Sequence, residues 1–131
     1  METILIFFAI LAAILVFLWV VPIGLSYQCK VYQIDLSLLN LVLMRWRKVP
    51  PGLIVSSLIK AKKEGITIDP AYFEAHYLAG GNVYNLSEAL IYARQKNTDI
   101  ELKQLMSANL AQEDLKGYID RYLENKKTVR P

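Results

Sequence analysis

One cysteine and one histidine are all that this 131-residue chain offers of the residues most used in metal and nucleophile chemistry. A lone Cys29 cannot form an internal disulfide. A lone His76 rules out a multi-histidine metal site, and a nucleophile–base pair would have to join it to a distant serine or to Cys29. Gly80-Gly81-Asn82 lacks the preceding strand and the following Lys-Ser/Thr of a phosphate loop. It reads as a helix stop followed by a new start. The sequence therefore predicts no enzyme, no cofactor and no metal. His76 is expected to hydrogen-bond locally or to pack between helices. Glu74, Asp99, Glu101, Glu113 and Asp114 read as solvated faces and caps.

Positive charge is also missing where a secretory signal would carry it. No Lys or Arg precedes Lys30, and Glu2 is the only charge in that stretch. Gly24-Leu25-Ser26 has the small-x-small form of a cleavage site. The apolar run before it is longer than the usual signal core, which favours an uncleaved anchor.

What the chain does have is that run. Residues 4–21 carry no charge, and fourteen of these eighteen are Ile, Leu, Val or Phe. As a helix they span roughly 27 Å, close to the hydrocarbon thickness of a bilayer. At about 0.3–0.6 kcal/mol each, the fourteen favour insertion by roughly 4–8 kcal/mol. All 15 Lys and Arg follow the run. Lys30, Arg45, Arg47 and Lys48 lie within reach of its end and place the bulk of the chain in the cytoplasm. The N-terminus is then outside, or folded back if the anchor is half of a re-entrant hairpin. The remaining charge is mild and interspersed, which does not point to nucleic acid.

Four segments are expected: a membrane anchor over 1–26, an interfacial segment over 27–51, a cytoplasmic helical domain over 52–125 and a flexible tail over 126–131. Pro22 and Gly24 punctuate the end of the first helix. Cys29 reads as a small semi-buried residue rather than an acylation site. Tyr27 and Tyr32 flank Lys30, a head-group combination. Over residues 33–47, Gln33, Ser37, Asn40, Met44 and Arg47 fall on one thin helical stripe, with leucines around the rest. Such a helix lies in the interface, its end held by Arg45, Trp46, Arg47 and Lys48. Each basic residue there gains about 1 kcal/mol from anionic lipid.

Pro50-Pro51 marks a boundary. Beyond it five helices are expected, for an all-α fold. The first buries Ile54, Leu58, Ile59 and Ala61 and ends at Gly65. The second is capped by Asp69 before Pro70 and stopped by Gly80-Gly81. The third is capped by Asn85 or Ser87 and runs to about Asn97. The fourth covers about 101–107, and the fifth runs from a cap at Asn109 to about Glu124. Leu58-Ile59-Lys60-Ala61 recurs 32 residues on as Leu90-Ile91-Tyr92-Ala93, Ile68 aligns with Ile100, and Leu78-Ala79 with Leu110-Ala111. The spacing suggests two stacked helix-turn-helix units; chance likeness between amphipathic helices is the alternative.

Residues 41–51, then 58–61, then 74–83 with its His-Tyr-Leu-Ala-Gly-Gly-Asn-Val run, then 89–91, resemble the N-terminal part of the bacterial flotillin-like protein A (FloA) family. The 109–114 stretch is similar to a later family segment, and the likeness covers residues 36–115. It implies a non-enzymatic membrane scaffold on the inner face of the plasma membrane, one that self-assembles and is linked to lipid microdomains. Its partners would be membrane lipids and further copies or a full-length flotillin-like relative. Leu43 stands where the family usually has glycine, and Lys30, Asp35 and Asn40 make the second segment more polar than the family's. The family's stomatin/prohibitin/flotillin domain and coiled coil do not follow within these residues, so a short paralogue or an isolated N-terminal module is expected. A small accessory subunit of a transport or secretion complex is the competing reading.

Overall fold

A computed structural model describes residues 1–129, and among them the chain is all-α, with eight helices and no strand. They are α1 (Glu2–Val20), α2 (Ile23–Val31), α3 (Leu38–Trp46), α4 (Pro51–Lys63), α5 (Pro70–Leu78), α6 (Val83–Gln95), α7 (Leu102–Leu110) and α8 (Leu115–Val129). The chain divides into two units between Pro51 and Gly52.

In the first unit, α1 is apolar on every side beyond Glu2 and Thr3, and none of it is buried. It lies in the segment long and apolar enough to cross a membrane. The helix stops at Val20, but Gly24 does not end it. Pro22 caps α2, which starts at Ile23 and runs through Gly24. The interfacial helix is also shorter than its sequence pattern. Gln33 is left-handed (φ 54°) and the Ser37 hydroxyl accepts the Asn40 N–H at 3.2 Å, so helix begins only at Leu38. Gln33 and Ser37 are therefore not on its face. Met44, placed on the thin polar stripe, is buried together with Leu41.

The second unit is built around α6, which packs on α5, α7 and α8. Ile54, Leu58, Ala61, Phe73, Leu86, Leu105 and Ile119 form its core. Gly65 (φ 76°) and Gly80 (φ 89°) turn the chain after α4 and α5 in the left-handed region that glycine adopts freely. Three expected caps are corrected. Asn82 caps α6, its Oδ1 accepting the Asn85 N–H at 3.0 Å. Ser87 is buried within that helix and donates to the Tyr84 carbonyl. Asn109 lies inside α7; α8 starts beyond Asp114, whose Oδ2 accepts the Gly117 N–H at 3.2 Å. Helix α8 also continues past Glu124 to Val129, so residues 126–129 of the expected tail are helical. Residues 130–131 of that tail lie outside the described residues.

The 32-residue period extends further than two units. Helices α3, α5 and α7 begin and end 32 residues apart, as do α4 and α6; α8 starts 32 after α6, and α2 ends 32 before α4. Left-handed residues recur at Gln33, Gly65 and Asn97, and again at Lys48, Gly80 and Gln112. The helix-closing bonds recur with them. Ile34, Ile66 and Thr98 donate to Cys29, Ala61 and Ala93, while Val49, Gly81 and Glu113 donate to Met44, His76 and Ala108. Local structure thus repeats with a 32-residue period, one helical hairpin per repeat.

Side chains repeat the period across the second unit. Lys60 lies over the Tyr84 ring, 4.6 Å from its centroid, and pairs with Glu88. One repeat on, Tyr92 takes the place of Lys60, and Lys116 lies over its ring at 5.8 Å. The Tyr92 hydroxyl donates to Asp120 at 2.9 Å, a bond that pushes the phenol pKa up. Lys126 donates to Asp99 at 2.7 Å and holds that carboxyl below the usual range.

Candidate membrane interface

The last carbonyls of a helix have no partners inside it. At the end of α1 the partner comes from 26 residues further along. Arg45, in the last turn of α3, donates from Nη1 to the Trp19 carbonyl at 2.5 Å and to the Val20 carbonyl at 3.5 Å. Its guanidinium also sits 5.1 Å from the centroid of the Trp19 ring. One planar group thus caps α1, opposes the negative end of its dipole and covers the aromatic at that level.

The other basic residues lie at the ends of α2 and α3. Lys30 is exposed in the last turn of α2. Arg47 closes α3, and Lys48 follows in the left-handed region (φ 62°), the place Gly80 takes one repeat later. Trp46 is 82% exposed, and Leu38 and Leu39 are exposed on the same helix. Sequence reading named Arg45, Trp46, Arg47, Lys48 and Lys30 but gave Arg45 no role toward α1. No local pattern marks a contact across 26 residues.

The turn at Gly80, Gly81 and Asn82 is built around His76, which is buried. Asn109 Oδ1 accepts two hydrogen bonds, from the Asn82 N–H at 2.7 Å and from His76 Nε2 at 2.6 Å. Because that oxygen accepts from both, His76 carries its proton on Nε2, and its buried Nδ1 has no hydrogen-bond partner. Of the two expected places for His76, the structure has it packed between helices, its side chain bonded to α7. A cleft of about 420 Å³ beside this node is lined by Tyr84, Glu88, Asn109, Glu113, Asp114 and Lys116, without a nucleophile–base pair. Among the described residues no cluster of three His, Cys, Asp or Glu is placed to hold a metal.

The sequence profile of the flotillin-like protein FloA family matches residues 3–128. A flotillin-like protein FloA of Desulfosudis oleivorans is 41% identical over 113 residues, covering 86% of this chain and 35% of its own. One from Dictyoglomus turgidum is 40% identical over 115 residues, with 82% and 34% covered. One from Desulforapulum autotrophicum is 46% identical over 89 residues, with 68% and 27% covered. The chain thus spans about a third of the length of these relatives. No solved structure matches it.

Proposed function

The chain belongs to the FloA family of flotillin-like proteins, and from that premise we propose that it is a membrane-anchored scaffold or adaptor module. It works on the inner face of a bacterial plasma membrane, through self-association or by docking onto a membrane assembly such as a full-length flotillin-like protein. One observation carries the reading: an apolar helix with no buried residue is capped at its C-terminal end by Arg45. The apolar surface of α1 needs lipid, and the cap joins it to α3 at the level where Trp46 and Arg47 are exposed. Cations follow the anchor and none precedes it, which supports a cytoplasmic second unit. The packed helices of the second unit offer outward surface for partners, and no step of bond chemistry is assigned to them.

Carbonate extraction of bacterial membranes tests the anchor. The protein is expected in the pellet, and release to the supernatant overturns the reading. Ala12→Lys should weaken insertion by roughly 2.5–3.5 kcal/mol. A reporter active only in the periplasm, fused after Pro131, should stay silent. Detergent pull-down should recover copies of the chain or a flotillin-like relative. A single stoichiometric transporter subunit would instead support the accessory-subunit reading.

A further inference from the structure

The repeat sets the same register twice within the second unit, once filled and once with parts missing. In the later copy the loop before α7 is tied to α8: Lys126 donates to Asp99 at 2.7 Å and the Tyr122 hydroxyl donates to it at 3.4 Å. One repeat earlier, Arg94 holds the place of Lys126, Leu90 that of Tyr122 and Thr67 that of Asp99. The cation is kept there, while the acid and the ring are not.

A groove of about 450 Å³ lies at this earlier copy, with Ile66, Leu90, Arg94, Thr98 and Ile100 in its walls. Arg94 is exposed, and its guanidinium is set against Gly65, where an added Cβ would come within 3.3 Å of Nη2. Among the described residues no carboxylate pairs with Arg94. A guanidinium grips a carboxylate through two parallel N–H bonds, so the group best suited to Arg94 is the one this register lacks. The hydroxyl of Thr98 is buried without a hydrogen-bond partner, a second polar group left unanswered beside the groove.

We propose that this groove docks an acidic segment of a partner protein. The partner's carboxylate pairs with Arg94, and an aromatic side chain beside it fills the space that Leu90 leaves and that Tyr122 takes up one repeat later. The inference deepens the adaptor reading above and rests on it for its purpose. Charge and shape together select the occupant. A phosphate or a free carboxylate would answer Arg94 but leave Ile66, Leu90 and Ile100 in contact with water, and a purely apolar segment would leave the guanidinium unpaired.

The test uses the full chain in nonionic micelles and dye-labelled hexapeptides that carry one Asp and one Tyr, either adjacent or four residues apart. Fluorescence anisotropy should show binding by at least one of them. Arg94→Gln, at an exposed site, should weaken that binding about 10–150-fold, the range for a hydrogen bond to a charged group. Asn in place of the peptide's Asp should weaken it by a similar factor, and Ser in place of its Tyr should also weaken it. Thr67→Asp with Leu90→Tyr copies the filled register and should abolish binding with helical circular dichroism retained; Lys126→Gln, in the filled register, should leave the affinity unchanged. Absence of binding by every peptide, or binding that Arg94→Gln does not weaken, overturns the inference. Equal binding after the Tyr is replaced reduces the groove to an anion site and overturns it as well. Self-association lost in the Thr67→Asp, Leu90→Tyr variant, with no peptide bound by the parent, assigns the groove to a second copy and overturns it too. Carbonate extraction reads the anchored reading separately, so failure of either result leaves the other standing.

Discussion

Gly81 lies against the imidazole of His76 so closely that a Cβ added there would overlap the ring. The equivalent positions one repeat either side hold Val49 and Glu113, where the facing residues are Met44 and Ala108. Glycine at 81 thus answers to the buried histidine, whereas glycine at 80 answers to its left-handed backbone.

The two glycines should respond differently to the same substitution. Gly80→Ala has open space around it and should lose about 1–2 kcal/mol to backbone strain alone. Gly81→Ala should lose about 1–3 kcal/mol through overpacking. Adding His76→Ala should recover part of the loss at 81 and none at 80. Chemical denaturation of the parent, the three single variants and the two doubles measures both couplings, and equal coupling at the two sites would remove the steric account.

Asn109 should be among the most sensitive polar residues of the second unit. Its Oδ1 receives both His76 Nε2–H and the Asn82 N–H. Asn109→Ala leaves these donors without their acceptor, at about 1–3 kcal/mol for a buried group. Asn125→Ala removes an exposed amide from α8 and should stay within about 0.5 kcal/mol of the parent. Thermal unfolding that ranks the two equally would argue against the node.

The exchange of roles between Lys60 over Tyr84 and Tyr92 under Lys116 gives a direct test of the repeat. Lys60→Tyr or Tyr84→Lys alone breaks the pair. Together they recreate, between α4 and α6, the arrangement found between α6 and α8, with Glu88 in the place of Asp120. The double variant should regain about 0.5–1 kcal/mol over the sum of the single losses. A strictly additive pair would mean that the two contacts are not equivalent.

Much of this arrangement was legible from residue type. Asp69 before Pro70 fixed the start of α5, and Gly65 and Gly80 fixed two ends. The 32-residue spacing was visible where Leu58-Ile59-Lys60-Ala61 recurs. The other turns were hidden because Gln33, Lys48, Asn97 and Gln112 take the left-handed conformation without being glycine. The first hairpin was hidden for another reason: α2 follows the apolar helix after one break, and α3 exposes leucine and tryptophan, so its hydrophobic pattern does not mark the buried face alone. Asn109 misled because asparagine is a good cap. Its place in the period, opposite Tyr77 inside α5, would have put it within a helix.

Arg45 supplies the remaining prediction. Insertion of α1 depends on its apolar length, while the seating of α3 against its end depends on Arg45. The two should separate. Arg45→Gln keeps a neutral donor but loses the charge; Arg45→Lys keeps charge but loses the planar fork that reaches the Trp19 carbonyl while covering its ring. Neither change should release the protein from membranes on carbonate extraction. Both should loosen α3. A hydrogen bond to a charged group contributes about 1.5–3 kcal/mol, which corresponds to amide exchange over residues 38–46 roughly 10–150-fold faster. Hydrogen exchange on the vesicle-bound full chain reads this, with the amides of α6 as an unaffected reference. Unchanged exchange in both variants would mean that α3 is held by the burial of Leu41 and Met44 alone. Faster exchange in the glutamine variant only would mean that charge at the end of α1, and not the shape of the guanidinium, is what seats the helix.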